Sequence, residues 1–386
     1  MSDSVITIPL DFTSYDGHTR INAKLWTSPA FGTPEDPGPE KPKAIIQIVH
    51  GMAEYIDRYD DLASYFVGRG FIVCAEDHLG HGGSVESPND YGHIPMDGKL
   101  IILNDVDKLR RIVSECFPGI PYVMYGHSMG SFMVRSYTAR AGEGLAAAVM
   151  TGTGNVPAAL SKLGRTMART FGRVRGQRFR SKMIDGMGAG AYNDKIINPR
   201  TKLDWLSTDP ETVDAYIADP KCGFMFTVGG YATLLELTAE VVTMDCAARV
   251  PRDLPCLFAS GDQDPVGDNG AGVRAAAALL VQAGVEVVDC ILYPGMRHEI
   301  HNEIGREQVY KDIADWIEEN AHEPAHARSA EEVQAVISGQ QVVNAQDVED
   351  AEDVDEPQDA EGVEDAQDAG EVQAEEPAQV EEQAEE

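Results

Sequence analysis

Residues 122–133 read YVMYGHSMGSFM, and the reading of this stretch decides the fold. Four bulky residues run into Gly126, one serine stands between two glycines, and large apolar residues resume at once. The G-x-S-x-G pattern is weak by itself, because two glycines also make an ordinary loop. Its flanks carry the weight. YVMYG has the composition of a buried strand, and residues 129–141 have the composition of a helix. A strand that doubles back at once into a helix leaves no room for side chains at Gly126 and Gly130. The Ser128 hydroxyl is then thrown outward at the top of the turn.

Outward from this turn, strand-like and helix-like segments alternate. Val5–Phe12 and Ile21–Trp26 read as a strand pair around SYDGHTR. The loop TPEDPGPEKP leads into AIIQIVHG, a continuous apolar run suited to a central strand covered on both faces. A helix in YDDLASYFVGRG, a strand in FIVCAEDH and a helix over Asp105–Cys116 precede the serine turn. Strands in AAAVMTGTG and PCLFASGDQD, a helix in GVRAAAALLVQAG, a strand in VEVVDCILYPG and a helix over Glu303–Asn320 follow it. The pattern predicts an α/β fold, with a mostly parallel sheet and helices on both faces. Between Asn155 and about Thr243 the alternation stops. A helical insertion after the sixth or seventh strand is expected, above the strand ends where ligands bind. The predicted organisation is a first core part (1–154), a helical cap (155–243), a second core part (244–325) and an acidic tail (326–386).

The tail dominates the charge. Residues 329–386 hold 21 of the acidic side chains and no Lys, Arg, Phe, Tyr or Trp, so the net charge of −33 falls to −12 for residues 1–328. Such a segment lacks the apolar surface to offset the entropy of ordering and is expected to be disordered. A chain of this charge is not expected to bind nucleic acid. The amino terminus has no basic stretch followed by a long apolar run, so no signal peptide is expected. No apolar window is long enough to span a membrane, and the six cysteines lack CxxC spacing. A cytoplasmic protein with reduced cysteines is the expectation, with no obligate protein partner evident.

A serine nucleophile needs a base, and on this fold the chain order is serine, acid, histidine. His298, His301, His322 and His326 follow Ser128 at a distance. His298 comes directly after a strand, where a strand-end base belongs, whereas His301 reads as a helix-surface residue. Asp262, Asp264 and Asp268 follow PCLFASG, and position alone favours Asp264 only slightly, with Asp262 as a turn residue. The Met129 amide at the helix start, and the Met52 amide after Gly51, are the expected donors to an oxyanion. His50 reads as a hydrogen-bonded strand-end residue. DHLGHGGS (77–84) reads as a glycine-rich loop held by His78 and His81 rather than as a metal site.

HGMAEYIDRYDDLA (50–63), DHLGHGGS, GHSMGS (126–131), SGDQDPVGD (260–268) and YPGMRHEIHNE (293–303) resemble, in order, the motifs of the lysophospholipase and monoacylglycerol lipase group of α/β-hydrolases. The resemblance covers about residues 5–320. Residues 176–193 and 198–220 resemble the cap of bacterial members; the tail has no counterpart. The resemblance implies a Ser128–His298–Asp264 triad, Met52 and Met129 amides at the oxyanion, and hydrolysis of monoacylglycerols or lysophospholipids without a cofactor. A short-chain carboxylesterase, an acyltransferase and a silent binding protein of the same fold remain as alternatives. A dehalogenase or epoxide hydrolase would need aspartate where Ser128 stands.

Within the cap, Leu160, Leu163, Met167, Phe171 and Val174 recur at helical spacing, with Lys162, Arg165, Arg169, Arg173 and Arg175 between them. A helix packed through this apolar stripe, with a solvated basic face, is the favoured reading. The alternative is a face that rests on an anionic membrane.

Overall fold

The computed structural model describes residues 5–322, apart from positions 34, 35, 37 and 188. His326 and the acidic tail expected to be disordered lie outside the described residues. The strands are β1 (Ile6–Thr13), β2 (Arg20–Thr27), β3 (Ile45–Val49), β4 (Ile72–Glu76), β5 (Tyr122–His127), β6 (Ala147–Thr151), β7 (Cys256–Gly261) and β8 (Val288–Tyr293). They form one sheet in the order β1-β2-β4-β3-β5-β6-β7-β8. β1 and β2 pair antiparallel, as do β2 and β4, and every later pair is parallel. Strands β3 to β7 are buried at every residue, as continuous apolar runs require when helices cover both faces.

The period of two splits those runs between two apolar layers. Ile45, Ile72, Met124 and Phe258 pack with helices α2 (Lys99–Cys116), α3 (Met129–Ala141) and α9 (Ala271–Ala283). Ile46, Val73, Val123 and Leu257 pack with α1 (Asp60–Gly68) and α10 (Arg306–Asn320). α2 begins six residues ahead of the expected Asp105. No side chain caps its first turn, so the sequence carries no start signal there.

Between β6 and β7 lie α4 (Ala158–Arg175), α5 (Lys182–Met187), α6 (Pro210–Ala218), α7 (Val228–Val241) and α8 (Met244–Ala247). The insertion therefore follows the sixth strand. α4 corrects the expected packing stripe. Leu160, Leu163 and Val174 are 53%, 56% and 76% exposed, while Ser161, Ala168 and Gly172 form the buried face. α4 lies against α7, and a Cβ at Gly164 would come within 3.2 Å of Leu235. Close approach of two helix backbones selects small residues, so Leu163 and Val174 are left on the outside. Phe171 packs against the core, whereas Leu160 and Met167 reach the cavity wall.

Candidate active site

Ser128 follows the carboxyl end of β5, the strand held between β3 and β6, so it emerges at the middle of the sheet. Its backbone sits at φ 52° and ψ −118°, a conformation that a side chain adopts only when its surroundings impose it. The surroundings are the two glycines. A Cβ at Gly126 would lie 2.5 Å from the Gly130 carbonyl, and one at Gly130 would lie 1.9 Å from the Val49 carbonyl. Either clash would push α3 off the sheet and flatten the turn that presents Ser128. Met129 is the first residue of α3, so its N–H has no carbonyl a turn behind it to bond.

His298 lies in the loop after β8, fully buried, with Nδ1 3.1 Å from both Oδ1 and Oδ2 of Asp264. Asp264 is held in turn by the Ser260 hydroxyl (3.0 Å) and the Val266 amide (2.9 Å). Burial alone would lower the His298 pKa. The Asp264 charge and hydrogen bond, aided by Glu299 and Glu54, override it and hold the pKa above the ordinary imidazole value. Asp262 instead accepts from the Gly295 amide (2.7 Å), and Asp268 faces Lys195 (3.1 Å). The geometry thus separates three aspartates that sequence position barely ranked.

His301 corrects an expectation. It is fully buried rather than on a helix surface, with its ring stacked on Tyr59 at 4.7 Å and edge-on to His127 at 4.6 Å. Ile300–Asn302 forms one tight 3-10 turn before α10 begins, and that turn folds the ring inward. Burial drives its pKa down to about 3, so it stays neutral. His322 is exposed at the end of α10. His50 and His78 stack at 3.9 Å, the His50 Nε2 accepts from the His78 amide, and His81 meets the Leu79 carbonyl. These contacts fit a loop braced by histidines.

Ser128, His298, Met52 and Met129 all line one cavity of about 690 Å³. Its other walls are mainly apolar, with Phe132 from the core and Leu160, Met167, Trp205, Phe224 and Leu235 from the insertion. The size and lining are those of a site for a small organic ligand. Trp205, whose ring lies 4.9 Å from that of His298, was not foreseen, and nothing in DWLSTDP distinguishes it from a core tryptophan. The sequence also left unremarked Glu54, Arg58 and Glu299, which form an ion-paired cluster beside the site. A Glu and an Arg four residues apart were the available signal, together with an acid directly after the expected base.

Comparison with known proteins identifies the family and the fold. The family described as "Serine aminopeptidase, S33" matches residues 40–305. A monoacylglycerol lipase of Mycolicibacterium smegmatis is 28% identical, over 78% of this chain and 94% of the relative. Human monoglyceride lipase is 25% identical over 72% of this chain and 82% of its own length. Among solved structures, a thermostable carboxyl esterase from Bacillus coagulans, in complex with glycerol, is 32% identical with a TM-score of 0.75. That match covers 82% of this chain and 99% of the esterase.

Proposed function

The chain belongs to the "Serine aminopeptidase, S33" family of α/β-hydrolases, and from that premise we propose that it is a serine ester hydrolase cleaving monoacyl lipid esters, monoacylglycerols or lysophospholipids. The observation that carries the reading is the pairing of His298 with Asp264 beneath a cavity that also holds the strained Ser128. The Ser128 hydroxyl attacks the ester carbonyl while His298 Nε2 takes its proton. Asp264 keeps the other ring nitrogen protonated and stabilises the imidazolium. The Met52 and Met129 amides hold the oxyanion, worth about 10²–10³ in rate for each donor. His298 then protonates the leaving alcohol, and water repeats the sequence on the acyl-enzyme.

Residues 155–243 act as the cap over this site, since their side chains supply most of the apolar wall. That wall supports an acyl chain as the buried part of the substrate, as do the relatives named as monoacylglycerol and monoglyceride lipases. The exposed Leu160, Leu163 and Val174, beside exposed Lys162, Arg173 and Arg175, support peripheral contact with an anionic membrane. Among the described residues no helix is long and apolar enough to cross one. A second reading, a carboxylesterase for shorter esters, is favoured by the 32% identical esterase.

Release of fatty acid from monoacylglycerols and lysophosphatidylcholines of graded chain length tests both. Turnover that rises with chain length and vanishes in Ser128→Ala is expected. Turnover confined to short chains would establish the esterase instead. An aminoacyl anilide assayed in parallel checks the peptidase activity in the family's description.

A further inference from the structure

Glu54, Arg58 and Glu299 form one connected unit beside the catalytic residues. The Arg58 guanidinium donates to Glu54 Oε2 at 2.8 Å, and to Glu299 Oε1 and Oε2 at 2.8 and 2.6 Å. Both carboxylates are buried, so this one cation is shared between them. The other oxygen of Glu54 accepts from the Gly51 amide at 2.5 Å and from the Tyr59 hydroxyl at 2.9 Å. Gly51 opens the short loop that carries the Met52 amide. That loop also bears the strained Ala53, at φ 55°, whose carbonyl accepts from the Tyr216 hydroxyl (2.8 Å) and the Gly223 amide (2.9 Å) of the insertion. At the other end, Glu299 is covalently next to His298, and its amide donates to the Leu206 carbonyl.

We infer that Arg58 is a positioning residue that ties the oxyanion loop, through Glu54, to the His298 loop, through Glu299. The two loops follow β3 and β8, strands that do not pair with each other, and the bridging residues Arg58 and Glu299 are 241 positions apart in sequence. A guanidinium suits the task because its planar fork can hold two carboxylates at set angles, whereas an ammonium is a single point of charge. Its face lies 4.8 Å from the Tyr216 ring, which fixes its plane from the insertion side. With the bridge in place, the Met52 amide and the His298 ring keep a set separation while charge develops on the substrate between them. Without it each loop still folds, but the distance between donor and base drifts. The cost falls on the transition state more than on substrate binding.

This inference rests on the hydrolase reading, and its test separates the two. Arg58→Lys, Glu54→Gln and Glu299→Gln are compared with the full-length wild type on the ester it cleaves best, below the melting temperature of every variant. The expected result is a fall in kcat of about 10²-fold for Arg58→Lys and Glu299→Gln, with KM within about twofold. The Glu54→Gln, Glu299→Gln double variant should lose less than the product of the single losses, because both act through Arg58. Folded Glu299→Gln and Glu54→Gln with wild-type kcat would overturn the inference, as would losses that multiply independently. Should Arg58→Lys fail to fold, the two glutamine variants and their pair decide alone. If the wild type cleaves no ester and its Ser128 takes up no fluorophosphonate, the hydrolase reading itself has failed.

Discussion

At the scale of single residues, the three buried histidines around Ser128 are driven apart in basicity. Burial pushes His127 well down and His301 to about 3, while Asp264 keeps His298 above the ordinary 6.5. Of the three, only His298 is held above the ordinary imidazole value, which supports the acid and base role proposed for it. A general base works in its neutral form. kcat/KM is accordingly expected to fall as pH drops through a value above 6.5, with a single acid limb. Asp264→Asn removes the charge that favours the imidazolium, so that limb should move to lower pH. It also releases the tautomer, and kcat should drop by about 10⁴-fold. A pH–rate profile of wild type and variant checks both. An unmoved limb would mean that Asp264 does not set the charge of His298.

The elements carry the next lesson, and α4 is its clearest case. Its hydropathy stripe points to Leu160, Leu163, Met167, Phe171 and Val174, yet its fully buried residues are Ser161, Ala168 and Gly172, and Leu163 and Val174 stand exposed. Substitutions on the two faces should therefore behave opposite to what hydropathy suggests. Ala168→Leu forces a bulky side chain between two close helices and should cost roughly 1–3 kcal/mol, seen as a lower melting temperature. Leu163→Ser, at a 56% exposed position, should change stability by no more than about 0.5 kcal/mol. If the outer face touches membranes, Leu163→Ser should also slow hydrolysis of esters presented in anionic vesicles while leaving a soluble short-chain ester unaffected. Equal loss on both substrates would assign Leu163 to the cavity wall instead.

Across the whole molecule, what was legible in the sequence is what chemistry makes local. The serine turn needs its two glycines within four residues, and His298 must follow a strand directly. Those demands leave marks in one short stretch each. The Arg58 bridge joins positions 241 residues apart, and small-residue packing of α4 has no hydropathy signal, so neither could be read. A third feature of this kind lies outside the cavity lining. Asp105 on α2 accepts from the Ser14 hydroxyl and the Tyr15 amide, both at 2.7 Å, and so ties the β1–β2 turn to the core. Those bonds favour the carboxylate, but burial outweighs them, with the charges of Glu76 and Asp16 adding to it, and raises the pKa from 3.8 to about 7. The fold thus binds this proton more tightly than the unfolded chain does. The stabilisation is complete below pH 3.8 and is lost as pH rises toward 7, by up to about 1.4 kcal/mol per pH unit. Asp105→Asn keeps an acceptor for the Tyr15 amide and offers its own N–H to Ser14, without a titrating proton. Its melting temperature, relative to wild type, should therefore climb between pH 4 and 7 and level off above. Parallel profiles for the two proteins would show that Asp105 is ionised in the fold throughout, with its hydrogen bonds outweighing its burial.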